Sequence, residues 1–481
     1  MMLRKFFSLI IFLCTVTVSL AQQKKNVLVI ITDDQTYQTI HALGNKEIVT
    51  PTMDKLVKNG TSFTNAHIMG ALNGAVCQPS RAMILCGKTL FHIRKDGAYI
   101  PESDITFPQL FKENGYLTFQ TGKWHQDTKS LNRSFAAGEN IHIGGMNPPD
   151  NGGQYRPELF HYDTTGKYDK PFWGDNYSSI HFADAAIDFI DKQKTSTQPF
   201  LMYLAFTSPH DPRTPPTWYG HSYSAKDVSL PANYLPEHPF DNGELRIRDE
   251  TLLPFPRTKE AVKTEIAKYY AMVSEVDYQI GRVMDALKIA GKDKNTIIVL
   301  AGDNGLSVGQ QGLLGKQNPY ESSIRVPLIF SGPGIPANKR ENAIVYLNDI
   351  YPTLCELTNI DIPKTVGGQS LAKAFSDTGF QGHDFAFFAY RNLQRAYVKN
   401  NFKLILYNVK GQHPVQLFNL KTDPLEMQNL AENAGYKQRV VEMTAALSLT
   451  MKQLNDFCDL DKPDWGAPKK WTGVDINNLN P

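Results

Sequence analysis

The sequence predicts an α/β fold: a large, mostly parallel sheet flanked by helices, followed by a small C-terminal antiparallel sheet packed with one helix. Three observations carry that prediction. Five short apolar runs rich in β-branched residues, at Asn26–Thr32, Tyr116–Thr121, Phe200–Phe206, Asn295–Ala301 and Arg325–Phe330, are continuous rather than alternating, as strands covered on both faces are. Helical patterns separate them, which favours crossover connections and parallel pairing. From about Gly379 the pattern changes to brief strands joined by tight turns.

Taken in order, Met1–Ala21 reads as an export signal. Arg4 and Lys5 form the charged start, Phe6–Val18 the apolar run, and Ser19-Leu20-Ala21 the small-residue cleavage site. The run is shorter than the roughly 20 residues of a membrane span, and no later segment is apolar enough for one. The protein is therefore expected to be exported, periplasmic or secreted, and soluble. Thr50–Gly60 is a capped amphipathic helix, and Phe107–Gly115 a further helix. His181–Lys192 and Glu260–Ala290 follow as helices with apolar residues at helical spacing. Two long irregular stretches, Gln126–Trp173 and Arg213–Pro256, are rich in Gly, Pro, Asn and aromatics and are expected to be functional loops. Near the end, Phe385–Tyr390, Arg395–Val398, Lys403–Tyr407 and Gln416–Asn419 are strands and Lys437–Asp456 is a helix. The organisation expected is a leader over 1–21, a catalytic domain over 22–378 and a C-terminal subdomain over 379–481.

At 481 residues the chain exceeds one small core. Its formal net charge of +2 offers no general attraction for nucleic acid or an anionic membrane. Of five cysteines, Cys14 leaves with the leader. The other four, Cys77, Cys86, Cys355 and Cys458, are too sparse for a disulfide framework; at most one pair, without Cys77, is expected.

Function is read from where the strands end. Four of them deliver polar groups: Asp33 and Asp34, then Lys123 and His125, then His210, then Asp303 and Asn304. One edge of the sheet would collect them, where open α/β sheets bind ligands. Three carboxylates and an amide oxygen are hard ligands that suit Ca²⁺ or, less well, Mg²⁺, and not zinc. Lys123, Lys316 and Arg81 hold an anion's oxygens, and the two histidines carry protons near neutral pH. Gly74–Gly87 supplies a cysteine, Cys77, just before an expected helix start at Pro79, and a helix start has free backbone donors. Together these residues describe a site for splitting an oxyanion ester.

Cys77-Gln-Pro-Ser-Arg81 resembles the Cys-X-Pro-Ser-Arg maturation signature of the type I, formylglycine-dependent sulfatases of the alkaline phosphatase superfamily. Asp33-Asp34-Gln35, Gly122-Lys-Trp-His125, Ser208-Pro-His210, Asp303-Asn-Gly305, Gly315-Lys316 with Tyr320-Glu321, Arg325-Val-Pro-Leu328 and Leu417–Glu426 with Asn429-Leu430 extend the resemblance over most of the chain. It implies an alkaline phosphatase-like fold and oxidation of Cys77 to formylglycine (3-oxoalanine) by a sulfatase-maturation enzyme. It implies metal held by Asp33, Asp34, Asp303, Asn304 and the residue at 77. Lys123 and Lys316 would offset charge on the sulfuryl group, Arg81 would orient the nucleophile, His210 would protonate the leaving alcohol, and His125 would accept the proton of the second hydroxyl. Cys86, Lys88 and Gln311 depart from the extended pattern, where Thr, Arg and His are usual. The substrate implied is a sulfated carbohydrate, with algal oligosaccharides such as ulvan or carrageenan ahead of glycosaminoglycans. Asn73, His142, Arg156, His161, Trp173, Arg213 and Trp218 are candidate sugar contacts. The alternatives are a phosphodiester or phosphonate monoester hydrolase of the same superfamily, and a secreted carbohydrate-binding protein that keeps an unmodified Cys77.

Overall fold

The structure is a computed structural model that describes residues 23–162, 170–217, 223–377 and 379–466. The leader over 1–21, the candidate contact Trp218 and the last fifteen positions, 467–481, lie outside the described residues.

A ten-stranded sheet forms the centre. Asn26–Thr32 lies in its middle, parallel to Thr296–Gly302 on one side and Phe200–Ala205 on the other. Leu117–Lys123 and then Ala137–His142 continue the parallel run. Both margins turn antiparallel, through Glu158–Tyr162 and Phe172–Trp173 at one edge and Leu328–Ser331 and Gly60–Phe63 toward the other. The sheet is therefore parallel at the core and mixed overall.

Residues 27–31 have no exposed surface. Successive side chains point to opposite faces, so Val27, Val29 and Ile31 enter one core and Leu28 and Ile30 the other. The second core is roofed by the helices Ser178–Lys192 and Lys259–Ile289 through Phe182, Phe189, Val276 and Ile280. This two-sided cover explains why the strand reads as an uninterrupted apolar run.

The small sheet holds Ala386–Tyr390, Gln394–Lys399, Phe402–Tyr407 and Val415–Asn419 in antiparallel order. Lys437–Gln453 covers it with Met443, Leu447 and Met451. A fifth strand comes from far upstream: Gly70–Ala71 pairs parallel to Ala389–Tyr390. Gly70 sits at φ +94°, and a β-carbon there would lie 2.0 Å from the Ala389 carbonyl oxygen. Only glycine lets the two backbones meet.

Several expectations change. Arg325–Phe330 is not a parallel strand: the strand begins at Leu328 and runs antiparallel, because Pro327 has no N–H for a ladder and Arg325 closes the short helix Glu321–Ile324. Gln126–Trp173 is not wholly irregular. It contributes Ala137–His142, Glu158–Tyr162 and Phe172–Trp173 to the sheet, where Gly, Asn and His mask the strand pattern. The helix after the Gly74 turn begins at Cys77, two residues before Pro79, which occupies the first turn where a missing N–H is still tolerated. Among the described residues Cys77, Cys86, Cys355 and Cys458 are all free and buried, which is compatible with the expected limit of one pair. Among the described residues no helix is long and apolar enough to cross a membrane.

Candidate active site

Four strand ends and one helix build the site. Asn26–Thr32 releases Asp33 and Asp34, and its neighbour Thr296–Gly302 releases Asp303 and Asn304. Their register is locked by backbone bonds, Asp303 N–H to Thr32 O at 3.0 Å and Asp33 N–H to Ser208 O at 3.2 Å. Leu117–Lys123 presents Lys123 after Gly122, where the φ of +88° and the Ala205 carbonyl oxygen, 1.9 Å from where a β-carbon would lie, exclude a side chain. The helix Cys77–Cys86 places Cys77 and Arg81 four residues apart, hence on one face.

The groups interlock below the surface. Lys123 Nζ donates to Asp33 Oδ2 at 2.5 Å, and Lys316 Nζ donates to Asp34 Oδ1 at 2.6 Å. Arg81 Nε donates to Asp303 Oδ2 at 2.8 Å. Asn304 Nδ2 donates to Asp34 Oδ1 at 2.7 Å. Cys77 Sγ sits 3.4 Å from His125 Nδ1, 3.5 Å from Lys123 Nζ and 3.9 Å from Lys316 Nζ. His210 turns Nε2 toward Asp34 Oδ2 at 3.7 Å, while its Nδ1 faces the Asp211 carbonyl oxygen at 2.8 Å.

Charge and burial compete at each group. Burial alone would raise Asp33 and Asp34, but Lys123 and His210 hold Asp33 below the usual carboxylate range, and His210 and Lys316 do the same for Asp34. Asp303 is pushed up to about 7 by burial and by the Asp33 charge. Burial also raises the Cys77 thiol despite two lysines beside it. A buried, protonated thiol is a poor nucleophile. Burial and the neighbouring Lys123 and Arg81 push the His125 imidazole well below its ordinary value, so it is neutral and able to accept a proton.

A hard cation fits this geometry. Carboxylate oxygens of Asp33, Asp34 and Asp303 lie within 4.8 Å of one another. Asp33 Oδ1 and Asn304 Oδ1 are buried acceptors without a hydrogen-bond partner among the described residues, Asp33 Oδ1 lying 3.9 Å from Arg81 Nη2. Buried polar atoms seldom stay unpaired, and an all-oxygen set suits Ca²⁺ or Mg²⁺.

Above Cys77 opens a cavity of about 380 Å³, with His125, His210 and Lys316 at its base. Gly74, Gly145, Met146, Ile247, Arg248, Gln317 and Arg391 are among its walls. None of the described candidate sugar contacts is in its lining. Asn73 instead caps the turn before the helix, accepting from Ala75 N–H at 2.6 Å. His142 is buried and bonded to the Glu158 carbonyl. Arg156 lies over the Trp173 ring at 5.0 Å, His161 stacks on Phe172 at 4.6 Å, and Arg213 is buried against Glu265 at 2.9 Å. His142, Arg156, His161 and Arg213 thus meet neighbours outside the cavity lining, on strands and on a helix. Sequence reasoning missed Arg248, Arg391 and Asp211. The Asp211-Pro212 pair after His210 was a signal available for the last; the two arginines carried none.

The family model for sulfatases matches residues 25–360, and one for the C-terminal part of N-sulphoglucosamine sulphohydrolase matches 309–453. The chain belongs to the sulfatase family. Sulfatases are sulfuric ester hydrolases of the alkaline phosphatase superfamily, and this sulfatase chain is one of those enzymes. A sulfatase of Formosa agariphila is 29% identical over 455 residues, covering 89% of this chain and 87% of that one. An ulvan-active sulfatase of the same organism is 27% identical, with 90% and 82% covered. An N-acetylglucosamine-6-O-sulfatase of Bacteroides thetaiotaomicron is 26% identical, with 90% and 87% covered. Among solved structures, a protein in complex with its substrate D-glucosamine-2-N,6-O-disulfate superposes with a TM-score of 0.71 at 24% identity, covering 92% of this sulfatase and all of that chain. A phosphonate monoester hydrolase from Silicibacter pomeroyi shares the fold at a TM-score of 0.71 and 21% identity.

Proposed function

We propose that this sulfatase is exported and removes sulfate from a sulfated carbohydrate, with oligosaccharides of an algal polysaccharide such as ulvan or carrageenan ahead of glycosaminoglycans. The observation that carries the reading is the placement of Cys77. It stands at a buried helix start between Lys123 and Lys316 and beside Asp33, Asp34 and Asp303. The relatives support the carbohydrate class, since one is named for ulvan and another for N-acetylglucosamine 6-sulfate.

Cys77 is converted by a sulfatase-maturation enzyme to formylglycine, whose hydrate offers two hydroxyls where the thiol offered one poor nucleophile. A cation held by Asp33, Asp34, Asp303 and Asn304, Ca²⁺ in preference to Mg²⁺, supplies Lewis acidity toward the hydroxyl and the sulfate oxygens when bound. Lys123 and Lys316 offset the charge that grows on the sulfuryl oxygens. Arg81, fixed by Asp303, keeps residue 77 in place. His210 presents Nε2 to the leaving alcohol oxygen, because Nδ1 is engaged by Asp211. His125 accepts the proton of the remaining hydroxyl, which lets that oxygen expel sulfate.

Two measurements test this. The peptide that contains residue 77 should be lighter than its unmodified form by about 18 Da, the difference between Cys and formylglycine. Cys77→Ala should abolish sulfate release from sulfated oligosaccharides; unchanged release rules the reading out. The phosphonate monoester hydrolase fold neighbour motivates a second reading, hydrolysis of phosphate diesters or phosphonate monoesters at the same nucleophile. Faster turnover of those esters than of sulfate esters would favour it.

A further inference from the structure

We propose that Arg391, with Arg248 on the same rim, forms an oxyanion subsite, so that the substrate carries a second anionic group, a carboxylate or a further sulfate, beside the ester that is cleaved. This rests on the sulfatase reading of the site and narrows its substrate class.

Apart from the base, the only cations among the described residues that line the cavity are Arg248 and Arg391. Both remain accessible, with 46% and 32% of their side chains exposed, whereas Arg81, Lys123 and Lys316 are fully buried. Arg391 is held from behind by one buried acid and Arg248 by two. Arg391 Nη1 meets Glu244 Oε1 at 2.7 Å; Arg248 meets both oxygens of Asp211, Oδ2 through Nη1 and Oδ1 through Nη2 at 3.1 Å, and Asp249 Oδ1 through Nη2 at 2.6 Å. A guanidinium has five donors in a planar fork. On Arg391 the single acid takes one nitrogen, which fixes the plane and leaves other donors for a ligand, the arrangement that reads planar or tetrahedral oxyanions, whereas Arg248, bonded through both Nη atoms, is the lesser member of the pair.

The backbone around Arg391 is built to present it. Its φ of +45° lies in the left-handed region, which disfavours a residue with a β-carbon. Two bonds hold it there: its N–H donates to Ala71 O at 2.9 Å, and its carbonyl accepts from Arg395 Nη1 at 2.6 Å. Gly74, three residues past the Gly70–Ala71 strand and one before Ala75, leaves space for the head group; a β-carbon there would sit 3.3 Å from Arg391 Nη2. A salt bridge that only tied two loops together would need neither the cavity exposure nor the cleared neighbour.

The test compares three sugar substrates: a hexose monosulfate, the same sugar with a second sulfate, and the same sugar joined to a uronic acid. 4-Nitrophenyl sulfate serves as the reference ester. The enzyme should prefer one of the two anion-bearing sugars over the monosulfate by about ten- to hundredfold in kcat/KM, chiefly through KM. Which one it prefers tells carboxylate from sulfate. Arg391→Met combined with Glu244→Gln removes the cation together with its buried anchor, so no unpaired charge is left. In that variant the preference should fall to within about twofold, while Arg391→Lys should keep part of it. Release of sulfate with no preference, or a preference that survives the double variant, overturns the subsite alone. No release from any substrate, the reference ester included, overturns the sulfatase reading and the subsite with it.

Discussion

Residue 77 does its work through the company it keeps. Its thiol is buried and raised, yet two ammonium groups and an imidazole lie within 4 Å of the sulfur. Two ammonium groups in a water-poor pocket suit an oxyanion. Elsewhere, single buried acids set the pH limits of the fold. Glu275 is fully buried, and its Oε1 accepts from Gln279 Nε2 at 2.8 Å. Burial pushes its carboxyl up to about 7 from 4.5. A folded value above the unfolded one favours the protonated state, so this acid's contribution is fully present below pH about 4.5 and is lost as pH rises to about 7. At about 1.4 kcal/mol for each pH unit the loss is on the order of 3 kcal/mol. Glu275→Gln keeps the acceptor and removes the ionisation. Urea unfolding at pH 8 should show the variant more stable than the parent by about 1–3 kcal/mol, with the gap closing at pH 4.5. An equal gap at both values would rule out this account.

At the scale of elements, the two-residue strand Gly70–Ala71 matters more than its length suggests. It pairs with Ala389–Tyr390 and leads, through the Asn73 turn, into the helix that begins with Cys77. That helix has no side-chain N-cap, so its start is held by what precedes it. Gly70→Ala places a methyl 2.0 Å from a carbonyl oxygen at a φ of +94°. Neither backbone can yield without breaking the pairing. Thermal unfolding should show a loss of stability of about 1–3 kcal/mol, and sulfate release should fall because residue 77 is displaced. Normal activity in a destabilised variant would separate the strand from the site.

Across the whole molecule, the C-terminal unit completes the active site. Lys403 Nζ, on the strand Phe402–Tyr407, bridges Glu321 Oε1 at 3.0 Å and Glu426 Oε1 at 2.7 Å. Gln311 Nε2 donates to Leu425 O at 2.8 Å. These contacts clamp both ends of the loop that carries Lys316, which gives the departure at Gln311 a structural role. The proposed cation would have a similar global effect. Three carboxylates packed within 4.8 Å repel one another, and a bound divalent ion offsets that repulsion. Removal of the ion with a chelator should abolish activity and lower the melting temperature, and Ca²⁺ should restore both. Ion at a hundredfold its Kd is worth about 2.7 kcal/mol. A melting temperature indifferent to the chelator would argue against a cation at these residues.

Much of this was legible from the chain alone. Continuous apolar runs fix the buried strands, because a strand covered on both faces needs apolar residues on both. The polar groups at their ends point to one sheet edge, and the structure brings Asp33, Asp34, Cys77, Arg81, Lys123, His125, His210, Asp303, Asn304 and Lys316 together there. What only the tertiary structure decided is the wall around that edge. Arg391 belongs to the turn between the first two strands of the small sheet, Arg248 to an irregular loop, and Gly70 to a strand two residues long. Their partners lie far away in sequence, so no periodicity or local spacing records them. The same holds for His142, Arg156, His161, Trp173 and Arg213: their side-chain types suit a sugar, but where each one points depends on packing from distant segments.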